Sequence, residues 1–164
     1  MQMPAEIAAL AAEVIAKLTG HGLTVATAES CTGGLLAGAL TSVPGSSDVV
    51  YGGFVTYANE AKIAMLGVPF GLLRQHGAVS KEVAMAMAEG AQAAAGTHLA
   101  IAITGVAGPG QSEKKPAGLV HIAVASEAGT RHLRKQFSGL DRDGVRQATV
   151  LAALELLLKG AAQR

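Results

Sequence analysis

The sequence predicts a three-layer α/β/α sandwich on a mixed β-sheet, in one domain over residues 1–164. Three observations carry that expectation. Short apolar, β-branched segments alternate with longer amphipathic ones, the pattern of parallel strands covered on both faces by helices. Two strand-like segments then follow each other across a tight turn, and such a hairpin adds antiparallel strands to the sheet. The composition is that of a packed interior: of 164 residues, 50% are hydrophobic and 15% charged. This is enough for a real core and too apolar for a disordered chain.

Taken in order, PAEIAALAAEVIAKLTGHG reads as a helix. Pro4 suits its first turn, Ile7, Leu10, Ala11, Val14, Ile15 and Leu18 make one apolar stripe, and Gly20 and Gly22 stop it. LTVATAE is a short strand. GGLLAGALTSV is helical, with Thr32 in place to cap it. VPGSSD is a loop and VVYGGFVTYA a second strand. NEAKIAMLGV is a short helix with Asn59 as its cap. SKEVAMAMAEGAQAAAG is a longer helix, capped by Ser80 and ended by Gly96. HLAIAIT is a third, fully apolar strand, and GVAGPGQSEKKPAG a long glycine-rich loop. LVHIAVAS and TRHLRKQF form the hairpin around EAG, and DRDGVRQATVLAALELLLKG is the last helix. No internal repeat or low-complexity tail interrupts the series.

Several function classes are excluded. Mean hydropathy is +0.37, but the longest charge-free run, Ser30 to Ser47, is broken by glycines and Pro44, so no transmembrane helix and no membrane partner are expected. The N-terminus carries Glu6 and Glu13 and lacks the basic start of a signal peptide, so a cytoplasmic location is expected. A net charge of +1 offers no basic field for nucleic acid. The single cysteine, Cys31, excludes an internal disulfide and the multi-cysteine zinc patterns. Small-residue helices such as AMAMAEGAQAAAG suit a second subunit and a monomer's interior equally well, so a homo-oligomer stays open.

Chemistry concentrates where strands run into polar or glycine-rich turns: VATAESCTGG, GFVTYANEAK and AIAITGVAGPG. If these strands are parallel, Ser30, Tyr57 and Thr104 collect on one rim, where open α/β sheets bind ligands. Ser30 and Cys31 are adjacent candidate nucleophiles. Neither has a histidine in these segments to activate it, and Cys31 also suits a small buried hydrophobe, as Ser30 suits a helix cap. Lys62 lies in the first turn of a short helix, where the helix dipole opposes a cation and burial lowers an ammonium's pKa. A lysine there can act as a neutral base, with Tyr57 placed to relay a proton. Gly33 and Gly34 let a substrate carbonyl approach backbone N–H groups. GVAGPG resembles a phosphate-cradling loop but lacks the lysine ending of a P-loop. Arg142 and Arg146 share one helix face and either pair with Asp141 or Asp143 or reach a substrate phosphate.

The series TAESCTGG, GFVTYANEAKIAMLGV, HGAVSKEVAMAMAEGA, TGVAGPG and FSGLDRDGVRQATV resembles the CinA C-terminal domain family, in order from about Thr24 to Leu154. That family includes nicotinamide mononucleotide deamidases. In many relatives the domain follows a larger N-terminal one, and this chain looks like the stand-alone form. The resemblance implies an amidohydrolase that turns nicotinamide mononucleotide and water into nicotinate mononucleotide and ammonia, with a small-molecule nucleotide as partner and no metal or cofactor. It implies Ser30 as nucleophile and Tyr57 and Lys62 as the activating pair. Thr32, Gly33, Gly34, Thr104, Gly105, Ala107, Gly108 and Arg142 are the residues expected around the substrate. The loop GPGQSEKKPAG departs from the family pattern: Gln111 and Ser112 lie in its glycine region, the loop is one residue shorter, and Lys114 stands where a glutamate is usual. That departure leaves open an alternative, a nucleotide-binding module without turnover that acts through a protein partner. A cysteine-dependent hydrolase using Cys31 is the third reading.

Overall fold

In VATAE, LAIAITG and LVHIAVAS, large and small apolar residues alternate, and a strand's period of two sends the two sets to opposite faces. The computed structural model, which describes residues 2–162, uses this alternation to build two unlike layers. The strands β1 (Val25–Glu29), β2 (Val50–Val55), β3 (Leu99–Gly105), β4 (Leu119–Ser126) and β5 (Gly129–Gln136) form one sheet in the order β2-β1-β3-β4-β5. β1 is parallel to β2 and β3, while β3–β4 and β4–β5 are antiparallel. The mixed sheet and the hairpin are as expected.

The large residues Val25, Leu99, Ile101, Ile103, Val120, Ile122 and Val124 face one layer of helices: α1 (Ala5–His21), α2 (Leu35–Thr41) and α6 (Arg142–Ala162). The alanines Ala28, Ala100, Ala102, Ala123 and Ala125 face the other: α3 (Asn59–Leu66), α4 (Phe70–His76) and α5 (Lys81–Ala95). An alanine floor lets α5, itself rich in alanine, lie close to the sheet. The same closeness recurs between α5 and α3, where a Cβ on Gly90 would stand 1.9 Å from the Leu66 carbonyl oxygen. The expected stripe of α1 is buried at Ile7, Ala11, Val14, Ile15 and Leu18, with Leu10 partly covered.

Four local expectations are corrected. The segment Phe70–His76, unassigned in the sequence, is a one-turn-and-more helix entered through Pro69. Ser46–Asp48, read as loop, is a short 3₁₀ helix. Gly34, not Thr32, holds the cap position of α2. Ala58 holds that of α3, and Asn59 is its first helical residue. Ser80 does cap α5, its Oγ accepting from the Val83 N–H at 3.2 Å, and Gly96 closes that helix in the left-handed region. Because β1, β2 and β3 are parallel, their carboxyl ends share one edge of the sheet, and the residues after them meet there.

Candidate active site

The rim holds a serine–lysine pair. Ser30 follows the last residue of β1, and its N–H donates to the Ile103 carbonyl of β3, which fixes it to the sheet. Lys62 lies in the first turn of α3, and helical side chains lean toward their own N-terminus. It therefore reaches back to the end of β2, where its Nζ donates to the carbonyls of Thr56 at 2.9 Å and Tyr57 at 3.3 Å. Its third partner is Ser30 Oγ, at 3.0 Å. Lys62 is 1% exposed and Ser30 8%. Burial pushes the Lys62 amine below its ordinary range, against the negative charges of Glu113 and, more weakly, Glu60, which favour the ammonium. An amine that has given up one proton keeps two donors for the carbonyls and turns a lone pair to the Ser30 hydroxyl. This is the arrangement of a nucleophile and its base.

The Tyr57 phenol is turned away from this pair. Tyr57 is 59% exposed, and its hydroxyl accepts from the Arg142 guanidinium at 3.0 Å. What it gives the pair is its backbone carbonyl, which lies 3.5 Å from Ser30 Oγ as well as on Lys62. Cys31 is buried, and burial pushes its thiol up to about 12, so no thiolate forms near neutral pH. The direction of the phenol differs from the relay expected of Tyr57, while buried Cys31 is the small interior side chain that the sequence suggested, which leaves the third reading, a cysteine nucleophile, without support.

The turn that presents Ser30 is held by two residues outside the expected set. Glu29, fully buried, accepts from the Thr32 hydroxyl at 2.7 Å and from the N–H groups of Leu36 and Ala37 at 2.8 and 3.0 Å. A strand-end carboxylate thus satisfies the first turn of α2, the role expected of Thr32. From α6, Arg146 donates to the carbonyls of Cys31 at 3.2 Å and Thr32 at 3.3 Å. It pairs with neither Asp141 nor Asp143 there. Gly33 and Gly34 adopt φ of +56° and +106°, and the Gly33 N–H closes the turn on the Ser30 carbonyl at 3.0 Å. Thr32, Gly33 and Gly34 shape the turn in this arrangement, and the cleft is lined by others. Glu29 was legible as an acid at a strand end just before a helix start; Arg146, 115 positions from Cys31, had no local signal.

The cleft in front of Ser30 and Lys62 has a volume of about 510 Å³ and is walled by the 104–113 loop, Ala78, Val79, the start of α3 and Arg142. Thr104, Gly105, Ala107 and Gly108 line it as expected, although the Thr104 hydroxyl is spent on the Ala78 carbonyl at 2.8 Å. Gly105 leaves room for β4: a Cβ there would stand 2.8 Å from Val120. Arg142 donates to the Gly108 carbonyl and to the Tyr57 hydroxyl, bridging the mouth. Gln111 and Ser112, the departures from the family pattern, face the cleft. Beside Lys114, Glu113 turns its carboxylate to the far wall, where its oxygens accept from the N–H groups of Ala78 and Val79 at 3.0 and 3.2 Å. Among the described residues no cluster of three or more metal-ligating side chains occurs, and no helix is long and apolar enough to cross a membrane.

Comparison with known proteins agrees with this frame. The model of the CinA C-terminal domain matches residues 7–160. A CinA-like protein of Geobacter metallireducens is 54% identical over 137 residues, covering 83% of this chain and 33% of that one. A CinA-like protein of Anaeromyxobacter dehalogenans is 51% identical over 145 residues, covering 88% and 35%. The chain thus spans about a third of the length of these curated relatives. Among solved structures, the competence/damage inducible protein CihA of Agrobacterium tumefaciens superposes with a TM-score of 0.94 at 47% identity, covering 99% of each chain. A CinA superfamily protein of Klebsiella pneumoniae reaches 0.93 at 35% identity, covering 96% of this chain and 99% of that one. The chain belongs to the CinA C-terminal domain family.

Proposed function

We propose that the protein is an amidohydrolase that converts nicotinamide mononucleotide and water to nicotinate mononucleotide and ammonia, with Ser30 as nucleophile and Lys62 as its base. The observation that carries this reading is the 3.0 Å contact between buried Lys62 Nζ and Ser30 Oγ at the head of an open cleft. Neutral Lys62 takes the Ser30 proton as Oγ bonds to the carboxamide carbon. The resulting ammonium gives that proton to the amide nitrogen, the C–N bond breaks, and ammonia leaves an acyl-enzyme ester. Water then attacks the ester carbon, Lys62 accepts the water's proton and returns it to Ser30 Oγ, and the nicotinate carboxylate is released. The thiol of Cys31 takes no part.

The nucleotide end of the substrate carries nearly two negative charges, and the chain's net charge of +1 supplies little general attraction. Arg142 at the mouth is the local cation: its two named contacts leave further guanidinium N–H groups for a phosphate. A free thiol at Cys31 fits a reducing, cytoplasmic compartment. The test is ammonia release from nicotinamide mononucleotide by the purified protein, with the Ser30→Ala variant as blank. Turnover that Ser30→Ala removes supports the reading; a wild-type protein that releases no ammonia refutes it.

A further inference from the structure

The linker between α4 and α5, residues 77–80, runs along the cleft without a strand or helix to pair its backbone, and buried backbone groups need partners. Side chains of the opposite wall provide them. Glu113 accepts from the Ala78 and Val79 N–H groups through its two oxygens, at 3.0 and 3.2 Å. Lys115 Nζ donates to the His76 carbonyl at 2.9 Å and to that of Val79, and lies 3.5 Å from Glu113 Oε2. The Thr104 hydroxyl meets the Ala78 carbonyl at 2.8 Å.

Both partners are shaped for this meeting. At Gly77, φ is +78°, and a Cβ would stand 2.7 Å from Glu113 Oε2 and 3.0 Å from Lys115 Nζ. Among the described residues, Glu113 and Lys114 are the two non-glycine residues given a left-handed backbone, at φ of 54° and 62°, in a two-residue turn closed by the Ser112–Lys115 backbone pair. Residues that rarely adopt this conformation hold it only where the surroundings over-determine it.

We propose that Glu113 is a positioning residue for the chemistry at Ser30: its carboxylate clasps the α4–α5 linker to the β3–β4 loop and so sets the wall of the cleft that contains Ser30 and Lys62. The inference rests on the reading of Ser30 and Lys62 as the reactive pair. A further consequence separates positioning from mere architecture. Burial opposes the Lys62 ammonium, and Glu113 is the group that most favours it, ahead of Glu60 on α3 itself, while Cys31 on the β1–α2 turn stays a neutral thiol. Removing the Glu113 charge therefore extends the neutral amine to lower pH.

The experiment compares wild type with Glu113→Gln and Glu113→Asp. Three quantities are read: amide hydrogen exchange at Ala78 and Val79, kcat and KM for nicotinamide mononucleotide, and the pH dependence of Ser30 modification by phenylmethanesulfonyl fluoride. A glutamine can accept from one linker N–H but presents an NH₂ to the other. Glu113→Gln is expected to speed exchange at Ala78 and Val79 by about tenfold, raise KM by about tenfold with a smaller change in kcat, and move the acid limb of the labelling profile to lower pH. Glu113→Asp, which keeps the charge, is expected to loosen the linker but leave that limb in place. Unchanged exchange overturns the proposal, and so does faster exchange with unaltered KM and labelling profile. If Glu113→Gln does not fold, the exchange and KM of Glu113→Asp decide in the same sense. If wild type releases no ammonia, the proposed substrate falls, while exchange and Ser30 labelling still decide for or against Glu113.

Discussion

Ser30 and Cys31 are neighbours with similar chemistry, and their surroundings separate them. Lys62 touches Ser30 Oγ, whereas the Cys31 thiol is held protonated by burial. Ser30→Ala should therefore lower kcat/KM by about a thousandfold or more, while Cys31→Ala keeps most of the activity; kinetics on the two folded variants check this. For Lys62 the sign is set by its depressed pKa: protonated lysine cannot take the serine proton, so the rate rises with pH through that depressed value and levels off above it. The profile of kcat/KM against pH measures this, and Lys62→Arg, which stays charged at working pH, should be nearly inactive throughout. The lysine was legible because a helix start and a strand end lie within a few residues of it. The direction of the Tyr57 ring was not, because spacing places a residue on a rim and says nothing of whether its phenol turns inward or, as found, to Arg142.

Elements transmit stability to this pair. α3 carries Lys62 and is seated on α5 at Gly90, where an added Cβ would meet the Leu66 carbonyl at 1.9 Å. Gly90→Ala should cost about 1–3 kcal/mol by overpacking and reduce activity by displacing α3. Gly20→Ala in α1, with nothing within 4 Å of the added methyl, should instead stabilise by about 0.5–1 kcal/mol. Thermal melts of the two variants should move in opposite directions. Glu29→Gln should weaken the start of α2, since a buried carboxylate accepting from three donors is replaced by a group that also donates; the expected cost is about 1.5–3 kcal/mol. The alternation of large and small residues made the strands and their two faces readable, and glycine and serine marked the ends of α5. α4 escaped because seven residues give too short a stripe to show a period. The caps of α2 and α3 were misread because local rules look for a Ser, Thr or Asn beside the helix, and here a strand-end glutamate reaches α2 from farther away.

The assembled chain has a cleft whose parts come from β1, β2, β3, α3, α6 and two loops, and this convergence explains what could be foreseen. Parallel strands bring Ser30, Tyr57 and Thr104 to one edge, so the rim followed from topology alone. Arg146 on the Cys31–Thr32 turn and Glu113 on the Ala78–Val79 linker depend on contacts between distant segments and had no counterpart in any short motif. If the mouth holds the phosphate, nicotinamide mononucleotide should be used better than its riboside or free nicotinamide, and Arg142→Ala should narrow that preference by roughly ten- to a hundredfold, the loss of one charge-assisted contact. Specificity constants for the three compounds with both proteins check this. The most direct measurement is ammonia release from nicotinamide mononucleotide followed by mass spectrometry of the enzyme during turnover. Wild type should release ammonia and carry an acyl group on Ser30, and Ser30→Ala should show neither release nor adduct. Full ammonia release by Ser30→Ala, or an adduct on Cys31, would contradict this mechanism.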